Sequence, residues 1–354
     1  MTQAGGREIR AAVVGVGAIA QQHLRCLRSL AGVEVVAVCD RSRGVAEAAA
    51  ERHDVAAVYT DHRELLAAAR ADVVHVTTPV ASHLPIATNA LDAGAHVLVE
   101  KPITASYADT RLLLDTAASR GRMVVENYNY VFNPEVQEVL RLARTGDLGD
   151  VTHVEVEMAV DILAPGSVFT GPDHPSASMP GGAISDFLPH MASLANAFVG
   201  DHSGVRSHWT HKPGSPIAAD ELRALISAAR GTAAISFSAL AQPDAFRLRV
   251  HGTRMRAHVN LFEPRLSLER VRGVPGPLVH LLNGLDDSRT AGAAAVGGLW
   301  RKLAGRPTAY AGLWALLGRT YEAVRDGRAA PVSSAQIDGV NRLVADITRD
   351  ESRM

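Results

Sequence analysis

The chain has 354 residues, 47% hydrophobic and 21% charged, with 36 basic side chains against 37 acidic ones. That length predicts two domains of ordinary size, and the composition excludes a disordered or fibrous chain. A net charge of −1 with only 5% aromatic residues argues against a nucleic-acid partner, which would need a basic surface and stacking platforms.

The first 125 residues or so read as alternating strands and helices. Ile9–Val14 is a compact apolar run ending at Gly15, the pattern of a buried strand. Ala18–Leu30 has helical periodicity, with Ile19, His23, Cys26, Leu27 and Leu30 on one side. Val33–Cys39 is a second strand, Arg43–His53 an Ala-rich helix, and Val55–Tyr59 a short extended piece. Asp61–Arg70 is helical with Asp61 as N-cap. Asp72–Thr77 is a strand ending before Pro79, Ser82–Ala93 a helix stopped by Gly94, and Ala95–Glu100 a strand stopped by Pro102. Ser106–Arg120 is a helix ending at Gly121, and Met123–Asn127 is a further strand. Repeated strand–helix units with wholly apolar strands predict an α/β fold, a parallel sheet covered on both faces.

After Asn133-Pro134 the pattern changes. Glu135–Thr145 is a helix. Alternating strands then cluster: Val151–Val160, Val205–Thr210, Glu221–Ala228, Thr232–Leu240, Phe246–His251, Arg256–Leu261 and Arg265–Leu268. Short turns between them predict a mainly antiparallel sheet. Between the first two lie a Pro/Gly/Ser-rich loop, Pro165–Gly182, and a helix, Ala183–Val199. Gly276–Gly327 returns to helix, with breaks expected at Gly284, Gly297-Gly298 and Pro307, and Ser334–Arg349 is the last helix, capped by Ser333 or Ser334. The expected domains are 1–126 and 127–354, the second an α+β domain with an open sheet, with helix 334–349 free to pack back on the first.

Four segments carry chemistry. Gly15-Val16-Gly17-Ala18-Ile19-Ala20 fits the G-x-G-x-x-G/A dinucleotide fingerprint between a strand and a helix. Gly15 permits the tight turn, Gly17 admits a pyrophosphate, and Ala20 keeps the helix against the sheet. The helix N-terminus offers N–H groups and a positive dipole end to phosphates. Asp40, ending the next strand, is placed to accept from ribose hydroxyls and would repel a 2′-phosphate, while Arg41 and Arg43 would attract one. The balance favours NAD(H) over NADP(H).

Thr77-Thr78-Pro79, with His83 beyond it, ends a strand at the carboxyl edge where open α/β sheets bind ligands; a surface histidine is the other reading of His83. Glu100-Lys101-Pro102 ends another strand, and an ammonium there would polarise a hydroxyl or carbonyl, or relay a proton. Only three of the 36 basic residues are lysine, namely Lys101, Lys212 and Lys302. A lysine that survives so strong an arginine bias points to a property arginine lacks, an amine able to lose its proton, and an ordinary surface lysine at a strand end is the other reading of Lys101. Gly181-Gly182-Ala183 leads to Asp186 and His190, which at i and i+4 share one helix face. A carboxylate beside an imidazole is a general acid/base arrangement, and an ordinary surface pair is the alternative. No further ligands stand at metal-site spacing, so no metal is expected.

Together these motifs resemble the Gfo/Idh/MocA oxidoreductases, the family of glucose–fructose oxidoreductase and the inositol dehydrogenases. The carriers are the Gly15–Ala20 turn with His23, Thr78-Pro79 with His83, Ala93–Pro102 ending in Glu-Lys-Pro, Gly146-Asp147-Leu148-Gly149-Asp150, and Gly181-Gly182-Ala183 with Asp186 and His190. The resemblance implies an N-terminal Rossmann domain and hydride transfer between nicotinamide and a carbinol or ketone carbon of a sugar, cyclitol or nucleotide-linked ketosugar. In that reading Lys101 hydrogen-bonds the reacting oxygen, His190 is the general acid/base, and Asp186 orients the substrate and His190. Cofactor contacts fall to Gly15, Gly17, Ala18, Ile19, Ala20, Asp40, Arg41, Thr77, Thr78, Pro79, His83, Glu100 and Lys101. Substrate contacts fall to Lys101, Asn127, Tyr128, Phe169, Asp186 and His190. Val131 departs from the pattern, standing where the family often has arginine. A dinucleotide sensor without turnover, or a reductase of a non-sugar secondary metabolite, are the rival expectations.

Two cysteines, Cys26 and Cys39, in apolar-patterned segments predict buried thiols in a reducing cytoplasm. The polar N-terminus lacks a signal peptide's apolar core, and no apolar run is long enough for a membrane span. A soluble homodimer or homotetramer acting on a small molecule, with no membrane or nucleic-acid partner, is the resulting expectation.

Overall fold

The structure is a computed structural model that describes residues 7–164, 181–303 and 310–349. The chain clusters into two compact units: residues 1–127 with 313–338, and residues 128–312 with 339–354.

The first unit is built on a six-stranded, wholly parallel sheet in the order β3-β2-β1-β4-β5-β6. Its strands are β1 (Ile9–Val14), β2 (Val33–Cys39), β3 (Ala57–Tyr59), β4 (Val73–Val76), β5 (His96–Val99) and β6 (Val124–Glu126). The strand order reverses beside β1, the switch point at which doubly wound sheets bind ligands. Helices α1 (Ala18–Ser29), α2 (Arg43–His53), α3 (His62–Ala69), α4 (His83–Asp92) and α5 (Tyr107–Arg120) connect the strands. Sequence capping signals locate the ends: Asp61 accepts the Arg63 N–H at 2.7 Å at the start of α3, and Ser106 accepts the Asp109 N–H at 3.1 Å at the start of α5. Val13, Leu24, Leu27, Val38, Ala46 and Val73 pack as one core. Tyr321 joins that core although it lies about 250 residues or more away in the chain. It sits on a late helix (Ala311–Asp326) whose Arg325 donates to the Ala31 carbonyl at 2.6 Å. These contacts draw 313–338 into the first unit, whereas the sequence reading allows only helix 334–349 to pack back on the first domain.

The second unit carries a seven-stranded sheet in the order β13-β12-β11-β7-β10-β9-β8. Its members are β7 (Val151–Ala159), β8 (His202–Thr210), β9 (Glu221–Ala228), β10 (Gly231–Ser238), β11 (Ala245–Gly252), β12 (Met255–Asn260) and β13 (Arg265–Arg270). All neighbours are antiparallel except β7 with β10. Alternation sorts the faces. Leu222, Ala224 and Ile226 of β9 and Phe246, Leu248 and Val250 of β11 are buried. The intervening positions hold cross-strand ion pairs: Arg249 lies 3.0 Å from Glu155, and Arg247 lies 3.5 Å from Glu157, each directly opposite its partner.

Helix α6 (Pro134–Arg144) precedes the sheet and α7 (Ile184–Val199) lies against β7 and β10. Helix α7 continues through Pro189, which adds no N–H to the helical ladder. Helix α8 (Gly276–Leu303) runs unbroken through Gly284 and Gly297-Gly298. The predicted breaks there are corrected: glycine costs a helix interior only about 1 kcal/mol, and the Leu- and Ala-rich flanks outweigh it. Helices α9 (Ala311–Asp326) and α10 (Ser334–Thr348) follow. At the start of α10, Ser333 and Gln336 exchange backbone and side-chain bonds at 3.0 and 3.2 Å, a capping box. Pro307 lies outside the described residues, and so do Phe169 and the rest of Pro165–Pro180.

Among the described residues no helix is long and apolar enough to cross a membrane. Nor does any group of three or more His, Cys, Asp or Glu side chains among them form a metal site. Cys26 and Cys39 are buried free thiols, and burial pushes them up to about 12 and about 11 respectively, in Cys39 with help from Asp40, Asp61 and Glu64.

Candidate active site

In the first unit, backbone bonds at the strand ends align five of the sequence candidates along the carboxyl edge of the sheet. Gly15 N–H donates to Cys39 O at 2.7 Å, Thr77 to Val14 O at 2.9 Å, Glu100 to Val76 O at 2.9 Å, and Asn127 to Val99 O at 3.0 Å. Asp40 N–H donates to Tyr59 O at 3.2 Å in the same row. The parallel register does this, because each residue follows the last residue of its own strand.

Gly15 has φ +84°, and a Cβ added there would lie 2.7 Å from Thr78 Cγ2 and 2.8 Å from Thr78 N. Both the backbone angle and the close approach of β4's end therefore demand glycine. Gly17 differs: a Cβ there would meet nothing within 4 Å. It precedes α1, whose N-terminus no side chain caps. Gly17 and Ala18 are exposed, Ile19 is half-buried and Ala20 fully buried. An uncapped helix start behind an open glycine, with the next alanine packed inward, fits a dinucleotide pyrophosphate.

The structure gives Asp40 a local task as well. Its Oδ2 accepts the Val16 N–H at 3.1 Å and its Oδ1 accepts the Ser42 N–H at 3.0 Å. The carboxylate thus ties the end of β2 to the glycine turn, and each oxygen keeps a lone pair for a further donor. Arg41 is exposed, and Arg43 lies 3.4 Å from Glu47 one turn along α2.

Thr77 is buried, and its hydroxyl donates to the Val14 and Gly15 carbonyls, so it supports the glycine turn. The Thr78 hydroxyl accepts from Ser82 at 2.8 Å, and Ser82 also donates to Pro79 O at 2.8 Å, folding the turn that leads into α4. His83 is buried, with Nε2 at 2.7 Å from Thr78 O and Nδ1 at 3.0 Å from Pro102 O. Burial lowers its pKa, against the backbone carbonyls and Glu100, which raise it. Its ring clamps the Thr78 and Pro102 segments together and acts by positioning them.

Glu100 is buried beneath the strand end. Its Oε1 accepts Asn127 Nδ2 at 2.6 Å and faces His23 Nε2 at 2.8 Å, and its Oε2 accepts the Lys101 N–H at 3.3 Å. Burial alone would raise its pKa. The hydrogen bonds from His23 and Asn127, with the nearby charge of Lys101, outweigh burial and hold it below the usual carboxylate value. Lys101 is half-exposed at the edge and joined to Pro102 by a cis peptide bond. Asn127 is buried behind it.

In the second unit, Gly181 and Gly182 have positive φ, and a Cβ on Gly181 would lie 2.6 Å from Ser185 Oγ and 2.7 Å from the Trp209 ring. The glycine pair lets the chain enter α7 beneath Trp209. Asp186 is then in the first turn, where the helix dipole favours a carboxylate. His190 follows one turn later, 9% exposed, edge-on to the Tyr130 ring at 4.9 Å between centroids. Tyr128 is buried and its hydroxyl accepts Asn341 Nδ2 at 3.2 Å. Val131 is buried as well, which accounts for an apolar residue at that position. Two residues of the first unit escape sequence reasoning, His75 and Tyr321, both bonded into the His23–Glu100 cluster. The available signal was a lone histidine inside the otherwise apolar Val73-Val74-His75-Val76.

Residues 9–128 match the Gfo/Idh/MocA profile described as an oxidoreductase family with an NAD-binding Rossmann fold, and residues 136–258 match the Gfo/Idh/MocA C-terminal domain. A dTDP-3,4-didehydro-2,6-dideoxy-alpha-D-glucose 3-reductase of Streptomyces violaceoruber is 35% identical over 201 residues, 56% of this chain and 57% of that protein. A D-glucoside 3-dehydrogenase of Escherichia coli K12 is 30% identical over 194 residues, 54% of each chain. The chain thus spans about half the length of the curated relatives it matches. An NAD-binding oxidoreductase of Klebsiella pneumoniae shares the fold, with a TM-score of 0.80 at 17% identity over 98% of both chains.

Proposed function

Because the chain belongs to the Gfo/Idh/MocA oxidoreductase family, we propose that it is an NAD(P)-dependent dehydrogenase or reductase acting on a CH–OH or C=O group of a sugar, cyclitol or nucleotide-linked ketosugar. The observation that carries this reading is the row of residues at the carboxyl edge. It sets an open glycine and an uncapped helix start in the same sheet edge as a lysine whose backbone N–H is accepted by a buried carboxylate. The names of the two sugar-acting relatives support the substrate class.

Gly15, Gly17, Ala18, Ile19 and Ala20 would hold the pyrophosphate, with Thr77, Thr78, Pro79 and His83 shaping the turn beside it. Asp40, with Arg41 at the rim, would take the adenosine ribose and prefer NAD(H). The nicotinamide, when bound, supplies hydride transfer to or from carbon. Lys101 would donate to the substrate oxygen and steady the charge that grows there as the carbon is reduced. His190 would give or take the oxygen's proton, and Asp186 would orient His190 and a substrate hydroxyl. Asn127 and Tyr128 act from the interior, Asn127 through Glu100. Phe169 is assigned to the substrate side from its place in the Pro165–Pro180 loop, for which a solvated loop is the other reading. The open face of the second sheet suits self-association, so we place the protein in the cytoplasm as a homodimer or homotetramer, without a metal and without nucleic-acid or membrane partners.

The test is nicotinamide absorbance when purified protein and cofactor meet a panel of sugars, cyclitols and nucleotide-linked ketosugars. Turnover on at least one member is expected. Tight cofactor binding with silence across the panel, extended to imines and diols, would favour a sensor instead.

A further inference from the structure

The first unit buries a polar chain that runs away from Lys101 into the core. His23 on α1, His75 in the middle of β4, Tyr321 on α9 and Glu100 after β5 are all buried. His23 Nε2 lies 2.8 Å from Glu100 Oε1, the Nδ1 atoms of His23 and His75 are 2.8 Å apart, and His75 Nε2 is 2.9 Å from the Tyr321 hydroxyl. The two imidazoles meet edge to face, and His75 stacks on Tyr321.

Two ring nitrogens at that distance share one hydrogen. A carboxylate at one end fixes where it sits, because Glu100 as an anion can only accept. His23 must then carry its hydrogen on Nε2. With His23 neutral, its bare Nδ1 accepts from His75 Nδ1–H, and the bare Nε2 of His75 accepts the Tyr321 O–H. Every donor has an acceptor, and every hydrogen points toward Glu100. The opposite order needs a cationic His23 and a His75 hydrogen on Nε2. It leaves the buried Tyr321 O–H with nothing to donate to, since His75 is its one side-chain partner among the described residues. Burial also disfavours a charge on His75. The other ionisable groups near the chain are Lys101 beside Glu100, His83 on α4, and Cys26 and Asp72 toward Tyr321.

We propose that Tyr321, His75 and His23 are positioning residues, a one-way hydrogen-bond relay that pins Glu100 as an anion in one orientation and thereby fixes the Glu100-Lys101-Pro102 element on which Lys101 acts. The kinetic part of this proposal rests on the role given to Lys101 above; the ordering of hydrogens does not.

Two measurements on the full-length protein test it. Imidazole nitrogen NMR should show His23 bearing hydrogen on Nε2 and His75 on Nδ1. A doubly protonated His23, or a His75 hydrogen on Nε2, overturns the relay whatever the enzyme's activity. In kinetics, His23→Leu should lower kcat about tenfold and shift its acid limb to higher pH, because Glu100 loses a donor, while cofactor Kd changes less than about twofold. His23→Gln, which keeps an N–H near the Nε2 position, should recover about half or more of the loss. Tyr321→Phe deletes only the terminal hydroxyl and should move the acid limb the same way by a smaller amount. Equal losses in His23→Leu and His23→Gln, or an unmoved pH profile in both His23→Leu and Tyr321→Phe, would reduce the cluster to core packing. A wild-type protein that turns over nothing defeats the proposed function, and the NMR result still decides the relay.

Discussion

At the scale of single residues, Lys101 carries the heaviest weight. In a chain that uses arginine almost everywhere, Lys212 and Lys302 lie in a turn and a helical stretch, whereas Lys101 ends a sheet strand over a buried carboxylate. Lys101→Ala should lower kcat about 10²- to 10⁴-fold with cofactor Kd nearly unchanged. Lys101→Arg should not restore it, since a guanidinium keeps its charge and needs more room. Steady-state kinetics with fluorescence titration of the reduced cofactor checks both, and wild-type turnover in either variant contradicts the role. Asp40 is a second case in which the structure sharpens the sequence reading. Its carboxylate holds the Val16 N–H, so Asp40→Ala should weaken both cofactors by loosening the glycine turn, and NAD(H) about tenfold more than NADP(H) by losing the ribose acceptor. Asp40→Asn, which keeps one acceptor oxygen, should fall between. Equal weakening of the two cofactors by Asp40→Ala would remove Asp40 from ribose binding.

Elements were legible where a local rule decides them. The apolar runs at Ile9–Val14 and Val33–Cys39 and the helix Arg43–His53 stand with the bounds read from sequence, because buried parallel strands and Ala-rich helical runs leave local signatures. β8 starts at His202, three residues before the predicted strand; a register irregularity at His202/Gly204 interrupts the alternation that would have revealed it. The two fingerprint glycines looked alike in sequence and differ in space. Gly15→Ala forces a side chain into Thr78 at positive φ and should destabilise the protein by about 2–4 kcal/mol. Gly17→Ala enters open space and should stay within about 0.5 kcal/mol of wild type while weakening the cofactor. Denaturant unfolding beside cofactor titration separates the two effects, and the opposite ranking would contradict the geometry.

For the whole molecule, both sheet types were in the sequence, but not the return of 313–338 to the first unit. Helical periodicity says that α9 has a buried face and is silent on what covers it. The same gap hid the relay, whose members come together only when β4, α1 and α9 pack. Whole-molecule burial also sets a pH dependence. Burial lowers the pKa of His75 and His83 below the ordinary value of 6.5 in the folded chain. The unfolded chain therefore binds more protons below that value, so stability should be full above about pH 7 and fall as pH drops through about 6.5, before most carboxylates protonate. Urea midpoints measured between about pH 8 and about pH 5.5 check this, and a flat profile would mean that these imidazoles titrate in the fold as they do in the unfolded chain.

The central claim, that the carboxyl edge of the first sheet is a nicotinamide-dinucleotide site, is tested most directly by calorimetric titration of the purified protein. NAD(H) should bind with one site per chain in the micromolar range or tighter, NADP(H) more weakly, and Gly17→Ala should weaken both. Absence of heat and of competition with either dinucleotide would contradict the account.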